Sequence, residues 1–252
     1  MILNVAAYLF VAIDDADALA LRLRERAKAD ALRGSVLVTP EGLNLFLAGG
    51  EALLRGFLEW LRTDPRFAAI TAKESWSDTV PFARLKVKRK HEIIAFRRER
   101  ATPLETGARA PAVAPATLQR WIAQGHDDAG RRLVLLDTRN REEFGFGTFK
   151  DALTLPIDNF TELPEALAPH RDALRDATVV SFCTGGIRCE KAALLMRERG
   201  LANVLQLDGG ILGYFAASAD APGWRGDCVV FDARGAVDRQ LSPRRSPQPA
   251  AA

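Results

Sequence analysis

The feature that most constrains this chain is an apolar run, Thr178-Val-Val-Ser-Phe182, that stops at Cys183 and passes through Thr184-Gly-Gly-Ile-Arg188 into the helix pattern Glu190–Arg199. A continuous apolar run of that length, followed by two glycines and a helix, predicts a strand buried on both faces of a parallel sheet. Two more runs repeat the plan. Arg132-Leu-Val-Leu-Leu-Asp137 ends in an acid, and Asn203-Val-Leu-Gln-Leu207 leads through Asp208-Gly-Gly210 into a short helix. With a further helix over Thr117–Gln124, this is an α/β domain with a parallel sheet and covering helices. Ligands of such sheets gather at the carboxyl ends of the strands, so the Cys183 thiol is expected at the mouth of a pocket.

The loop favours a charged sulfur. Gly185 and Gly186 let the backbone curl so that its N–H groups point at the sulfur. The helix start contributes partial positive charge and Arg188 a full one. Both favour the thiolate, which is the nucleophile. The competing reading, a cysteine merely packed in a core, loses to the flanking Gly-Gly and Arg. Cys189 reads as a packing residue rather than a resolving thiol, and Cys228 as structural.

The first third reads strand, helix, strand, strand, helix, strand. Asn4–Ile13 is β-prone. Asp14, Asp15 and Asp17 precede a helix carrying Leu19, Leu21, Leu23 and Ala27, which Gly34 ends. Ser35–Thr39 and Leu43–Ala48 flank the turn Pro40-Glu41-Gly42. Leu53, Leu54, Phe57, Leu58 and Leu61 stand at helical spacing, and strands are expected at Ile70–Trp76 and Leu85–Phe96. That order predicts a ferredoxin-like or acylphosphatase-like α+β domain. The boundaries so read are 1–97 for this domain, 98–116 for a Pro/Gly/Ala-rich linker, 117–235 for the cysteine-bearing domain, and 236–252 for a disordered tail.

At 252 residues, 48% of them hydrophobic, the chain is long enough for two modest cores. Three cysteines make no disulfide framework, no signal-peptide pattern opens the chain, and the run Val5–Ile13 falls short of a membrane span. A cytoplasmic protein without a membrane partner is expected. The net charge of +3 says little about nucleic acid. The local clustering says more: Arg84, Lys86, Lys88, Arg89, Lys90 and His91 are followed by Arg97, Arg98 and Arg100. Alternation puts Lys86, Lys88 and Lys90 on one strand face. They read as RNA-phosphate contacts, with Trp76 or Phe82 as a stacking surface, or else as a solvated edge guarded against aggregation.

The loop Cys183–Arg188 resembles the active-site loop of rhodanese-type sulfurtransferases, with four residues between Cys and Arg where the related phosphatase loops have five. Asp137-Thr-Arg139 resembles the rhodanese Asp-x-Arg strand end, whose expected role is a structural ion pair. Gly147-Thr-Phe-Lys150-Asp-Ala152, Thr184–Lys191, Gln206–Ile211 and Gly226-Asp-Cys228-Val-Val-Phe-Asp232 are similar to the subfamily of tRNA uridine hydroxylases. So are Thr39-Pro-Glu-Gly-Leu-Asn44 and Pro81–Ile94 in the first domain. The subfamily's longer members add a cysteine-rich C-terminal segment, where this sequence has Pro, Arg and Ala.

The resemblance implies oxygen-dependent conversion of uridine 34 of tRNA to 5-hydroxyuridine, with Cys183 as a persulfide-forming cysteine and Thr184, Gly185, Gly186, Ile187 and Arg188 as its loop. Asp137, Arg139 and Cys189 support it. Molecular oxygen and an electron donor are implied as co-substrates. No metal-ligand constellation, dinucleotide fingerprint or flavin motif is evident. A plain sulfurtransferase fed by a small-molecule sulfur donor, and a non-catalytic scaffold, are the other readings. Donor identity and oligomeric state stay open.

Overall fold

The computed structural model describes residues 1–98, 102–107, 109–218 and 220–244. Residues 99–101 and 108 of the expected linker, Arg100 among them, residue 219 and residues 245–252 lie outside the described residues. The chain divides into two units. One is Met1–Ile94 with Phe231–Arg234; the other is Ala95–Val230 with the residues from Gly235 onward.

The first unit contains β1 (Ile2–Phe10), α1 (Ala16–Ala29), β2 (Arg33–Thr39), β3 (Gly42–Gly49), α2 (Glu51–Arg62), β4 (Ala72–Ser77) and β5 (Leu85–Arg89). The sheet order is β4-β1-β3-β2-β5, with β5 added parallel to β2 on an otherwise antiparallel sheet. This is the expected ferredoxin-like arrangement with one extra edge strand. Leu3, Val5 and Ala7 of β1 and Leu43, Leu45 and Leu47 of β3 face α1 and α2 and form the core with Leu19, Leu23, Leu54 and Phe57. Each such fully buried side chain contributes about 1.5–3 kcal/mol. The Pro40-Glu41-Gly42 turn is a clasp: the Glu41 carboxylate accepts from Ile93 N–H at 2.6 Å. At Gly42 a Cβ would meet the Leu9 carbonyl at 2.2 Å, so only glycine fits.

The second unit begins with α3 (Pro103–Thr106), β6 (Ala112–Val113), α4 (Pro115–Gln124), β7 (Leu133–Asp137), α5 (Arg141–Phe144), β8 (Gly147–Phe149) and β9 (Leu153–Thr154). It continues through α6 (Leu163–Leu167), α7 (Arg171–Leu174), β10 (Thr178–Phe182), α8 (Ile187–Glu198), β11 (Val204–Leu207) and α9 (Gly210–Ala217). It closes with β12 (Trp224–Gly226), β13 (Cys228–Val229), β14 (Ala236–Val237) and β15 (Pro243–Arg244). The main sheet, β6-β11-β10-β7-β9, is parallel throughout, and every residue of the central strand β10 is buried.

Several boundaries differ from the sequence reading; α3 falls within the expected linker, and Phe231–Arg234 join the first unit. Residues 112–113, placed in the linker, are an edge strand of the parallel sheet; Pro111 accepts from Gln206 N–H and Val113 from Asp208 N–H. Residues 236–244, placed in the tail, form β14 and β15, and Ala236 and Val237 are fully buried. The strand expected over Leu85–Phe96 ends at Arg89. Two-residue strands carry no periodicity, and a strand that stops early while Ile93 and Phe96 stay buried keeps the apolar pattern without the ladder.

Candidate active site

Strand β10 delivers Cys183 to the carboxyl end of the parallel sheet, and α8 starts four residues later. Gly186 takes φ +99° and its N–H points at the Cys183 sulfur at 3.2 Å. From the other side the N-terminus of α9 grips the loop. Ile211 N–H donates to the Cys183 carbonyl at 2.9 Å and Leu212 N–H to the Thr184 carbonyl at 3.0 Å. That grip demands close approach. A Cβ on Gly210, at φ +63°, would lie 2.5 Å from the Cys183 carbonyl oxygen and 2.7 Å from Gly186 N. The Asp208-Gly-Gly210 sequence therefore exists to let two backbones touch.

Cys183 is 1% exposed, so the thiol lies inside its loop rather than at an open pocket mouth. Amides that converge on a sulfur necessarily wrap it. Burial alone would push the thiol up. The Cys189 thiol, the Arg188 guanidinium and the N–H groups of Arg188 and Gly186 outweigh burial and hold Cys183 well below the ordinary thiol range. Cys189 moves the opposite way, raised by burial and by the charge of its neighbour, and also touches the Thr138 hydroxyl at 3.7 Å. The two directions are opposite, Cys183 drawn toward the thiolate and Cys189 held as the thiol. Cys189 is wholly buried beside the loop, against the Thr138 hydroxyl.

Arg188 is 6% exposed and forms a two-pronged pair with Glu143, both contacts at 2.6 Å. Glu143 sits in the first turn of α5, where it also accepts from the Asn140 N–H. Burial pushes the Glu143 carboxyl up, but Arg188 and then Arg139 bring it below the usual carboxylate range. Asp137 and Arg139 are wholly buried and paired at 2.7 and 2.9 Å. Arg139 also donates to the Gly147 carbonyl at 2.5 Å and lies over the Trp224 ring, while Thr148 donates to Asp137. This pair ties the end of β7 to β8. Beneath the loop, Phe149, Phe182, Tyr214 and Trp224 meet edge to face. The Thr184 hydroxyl donates to the Val229 carbonyl at 3.4 Å, so the strand Cys228–Val229 braces the loop. Cys228 in that stretch is pushed up to about 12 by burial, against the pull of Arg139.

A thiolate at a strand end, ringed by amides and an arginine, is a nucleophile stabilised by its surroundings. Sequence comparison agrees with this geometry. Residues 2–93 match the family described as UPF0176 acylphosphatase like domain, and residues 115–217 match the Rhodanese-like domain. A tRNA uridine(34) hydroxylase of Xanthomonas campestris pv. campestris is 62% identical, with 96% of this chain and 95% of that protein covered. Those of Xanthomonas euvesicatoria and Xylella fastidiosa are 59% and 54% identical over 96% of this chain and 97% and 93% of theirs.

The chain belongs to the tRNA uridine(34) hydroxylase family.

In this family member Arg84, Lys86, Lys88, Arg89, Lys90 and His91 lie on the first unit, whereas Arg97 and Arg98 belong to the second. Lys86, Lys88 and Arg89 are exposed on the edge strand β5, and Arg84, Lys90 and His91 are exposed beside it. They fall on two faces. Val87 and Leu85 turn toward α1, and Arg89 on that side pairs with Asp17 at 2.8 Å. Lys86 and Lys88 point to the opposite face. Trp76, offered as a stacking surface, instead packs against the helix-side core, because its register partner is Leu3. Phe82 is half-buried. Glu143 is the functional residue the sequence reading missed; its mark was a glutamate three residues after Asn140, the spacing of a helix-start box.

Proposed function

We propose that this chain converts uridine 34 of tRNA to 5-hydroxyuridine in an oxygen-dependent reaction, with Cys183 as the reacting sulfur. One atom of dioxygen enters the C5–H bond and the other leaves as water, with two electrons and two protons from a donor. The observation that carries the reading is the thiolate cradle of Cys183, Arg188 and Gly186 in a chain that matches the named hydroxylases through both domains.

The cradle suits a persulfide as well as a thiolate. The Cys183 thiolate attacks the outer sulfur of a sulfane donor such as thiosulfate; the new S–S bond forms as the old one breaks, and sulfite leaves with its electron pair. The same amides and guanidinium then stabilise the terminal persulfide anion. The reaction belongs in the cytoplasm, where tRNA is modified. No helix among the described residues is long and apolar enough to cross a membrane.

The test is nucleoside mass spectrometry of bulk tRNA from a deletion strain complemented with the wild-type chain or with Cys183→Ala. Loss of 5-hydroxyuridine in the deletion, restored only by the wild type, supports the reading. An unchanged tRNA profile, together with thiosulfate-dependent persulfide on Cys183, makes the chain a plain sulfurtransferase.

A further inference from the structure

The sheet of the first unit has two faces, and α1 and α2 pack on only one of them. The register shows what the other face carries. One row runs Lys73, Ala6, Phe46, Ser35, Lys86 across all five strands. The next row runs Tyr8, Asn44, Leu37, Lys88. Aromatic side chains thus stand on the two central strands, β1 and β3, with lysines at both margins. At roughly 4.8 Å per strand the first row spans about 19 Å. The Lys73 ammonium lies 4.7 Å from the centre of the Tyr8 ring, which brings positive charge onto the face itself.

Phe231 completes this surface. Its ring meets Phe46 edge to face, with 6.0 Å between centroids, yet the residue is 54% exposed. The turn that carries it is held firmly. Arg234 forks onto Asp232 at 2.8 and 2.6 Å and reaches Ser75 at 2.8 Å, while Ala233 N–H donates to the Pro81 carbonyl at 3.0 Å. A large apolar ring kept in solvent on a rigid turn is the mark of a contact surface, not of a loose loop.

We propose that this face is a platform for unpaired RNA bases. Bases of a tRNA loop stack on Phe231, which Phe46 braces, and Lys73, Lys86 and Lys88 take the flanking phosphates. The reasoning is charge and shape: a flat aromatic surface with lysine margins recognises single strands, whose bases offer a free π-face, and not duplexes, whose bases are already stacked. The proposal rests on the tRNA reading above and names the surface through which that substrate is held.

The test uses the full chain and a fluorescently labelled anticodon stem-loop RNA, with anisotropy followed across a salt titration. Phe231→Leu keeps an apolar side chain and removes the π-face, so affinity should fall about tenfold with an unchanged salt slope, and Phe231→Tyr should restore it. Lys86→Glu with Lys88→Glu should weaken binding and flatten the salt slope. A blunt duplex of the same stem should fail to compete. Cys183 alkylation at the wild-type rate establishes that each variant is folded. Wild-type affinity in Phe231→Leu, or equal competition by the duplex, overturns the platform while leaving the tRNA reading intact. No tRNA binding by the wild type overturns both. A concentration-dependent dimer that Phe231→Leu abolishes would make the occupant a second copy and also overturn the proposal.

Discussion

Glu143 and Arg188 close on each other prong to prong, each guanidinium nitrogen 2.6 Å from its own carboxylate oxygen and each side chain 7% exposed. The pair connects the first turn of α5 to the first turn of α8, so the arginine beside the reactive sulfur is positioned by a residue from another loop. Removing Glu143 leaves Arg188 charged and buried without its carboxylate partner. Glu143→Ala should therefore lower stability by about 3–5 kcal/mol, read from urea unfolding. A loss below about 1 kcal/mol would mean that solvent reaches Arg188 and solvates it.

The thiolate assignment has a direct readout. Iodoacetamide reacts with the anion, so the alkylation rate of Cys183 should already be at its plateau near neutral pH, well below the ordinary thiol value of 9.0. Arg188→Ala removes a cation and exposes the sulfur to the Glu143 charge, so both effects should move the plateau to higher pH. An unshifted profile would show that the charge is held without Arg188.

Cys189 separates hydrogen bonding from chemistry. Cys189→Ser keeps a donor beside Cys183 and should keep most of the low-pH reactivity. Cys189→Ala removes the donor and should raise the pH of the alkylation plateau. Equal inactivation by both substitutions, with Cys183 still alkylated normally, would instead give Cys189 a covalent part in turnover.

What could be read from the sequence followed sequence locality. The run Thr178–Phe182, the Gly-Gly turn and Arg188 are contiguous, so the strand, the loop and its charge could be reasoned out together. Glu143 stands 45 residues before its partner, inside the polar tetrapeptide Arg141-Glu-Glu-Phe144, which looks like a solvated helix turn. Its burial follows only once β7 and β10 pair in parallel register. Likewise Asn4–Ile13 was legible as a strand, but an almost wholly apolar run hides which face is core. The pairing of Leu3 with Trp76 and of Tyr8 with Asn44 is what turns Trp76 inward and Tyr8 outward. Strands β6, β14 and β15 are two residues long and left no pattern to read.

Gly210 is where sequence and site geometry constrain each other most tightly. Gly210→Ala must accommodate a methyl 2.5 Å from the Cys183 carbonyl and a left-handed φ of +63°. The backbone strain costs about 1–3 kcal/mol, and relief requires α9 to withdraw from the loop. The Ile211 and Leu212 amides would then release their carbonyls, and the curl that aims Gly186 N–H at the sulfur would loosen. The expected result is a destabilised protein whose Cys183 alkylation plateau moves to higher pH. Destabilisation with an unchanged pH profile would show that the loop holds its shape without α9.

Asp127 contributes to the acid sensitivity of the fold. Its carboxylate accepts from the Thr178 hydroxyl at 2.6 Å, the Ala129 and Arg131 amides at 2.8 and 2.9 Å, and the Arg131 guanidinium at 2.8 Å. It thereby pins the turn before β7 to the start of β10. Burial pushes the carboxyl up, but these donors prevail and bring it from 3.8 to about 2. A carboxyl depressed in the folded state stabilises the protein above its unfolded value of 3.8, and that contribution fades as pH falls through about 2. The shift corresponds to roughly 2 kcal/mol at neutral pH. Asp127→Asn should therefore be less stable than wild type by about that amount at pH 7, and the gap should close progressively as urea unfolding is repeated toward pH 2. A gap that stays constant across that range would assign the effect to geometry, with the carboxylate charge contributing nothing.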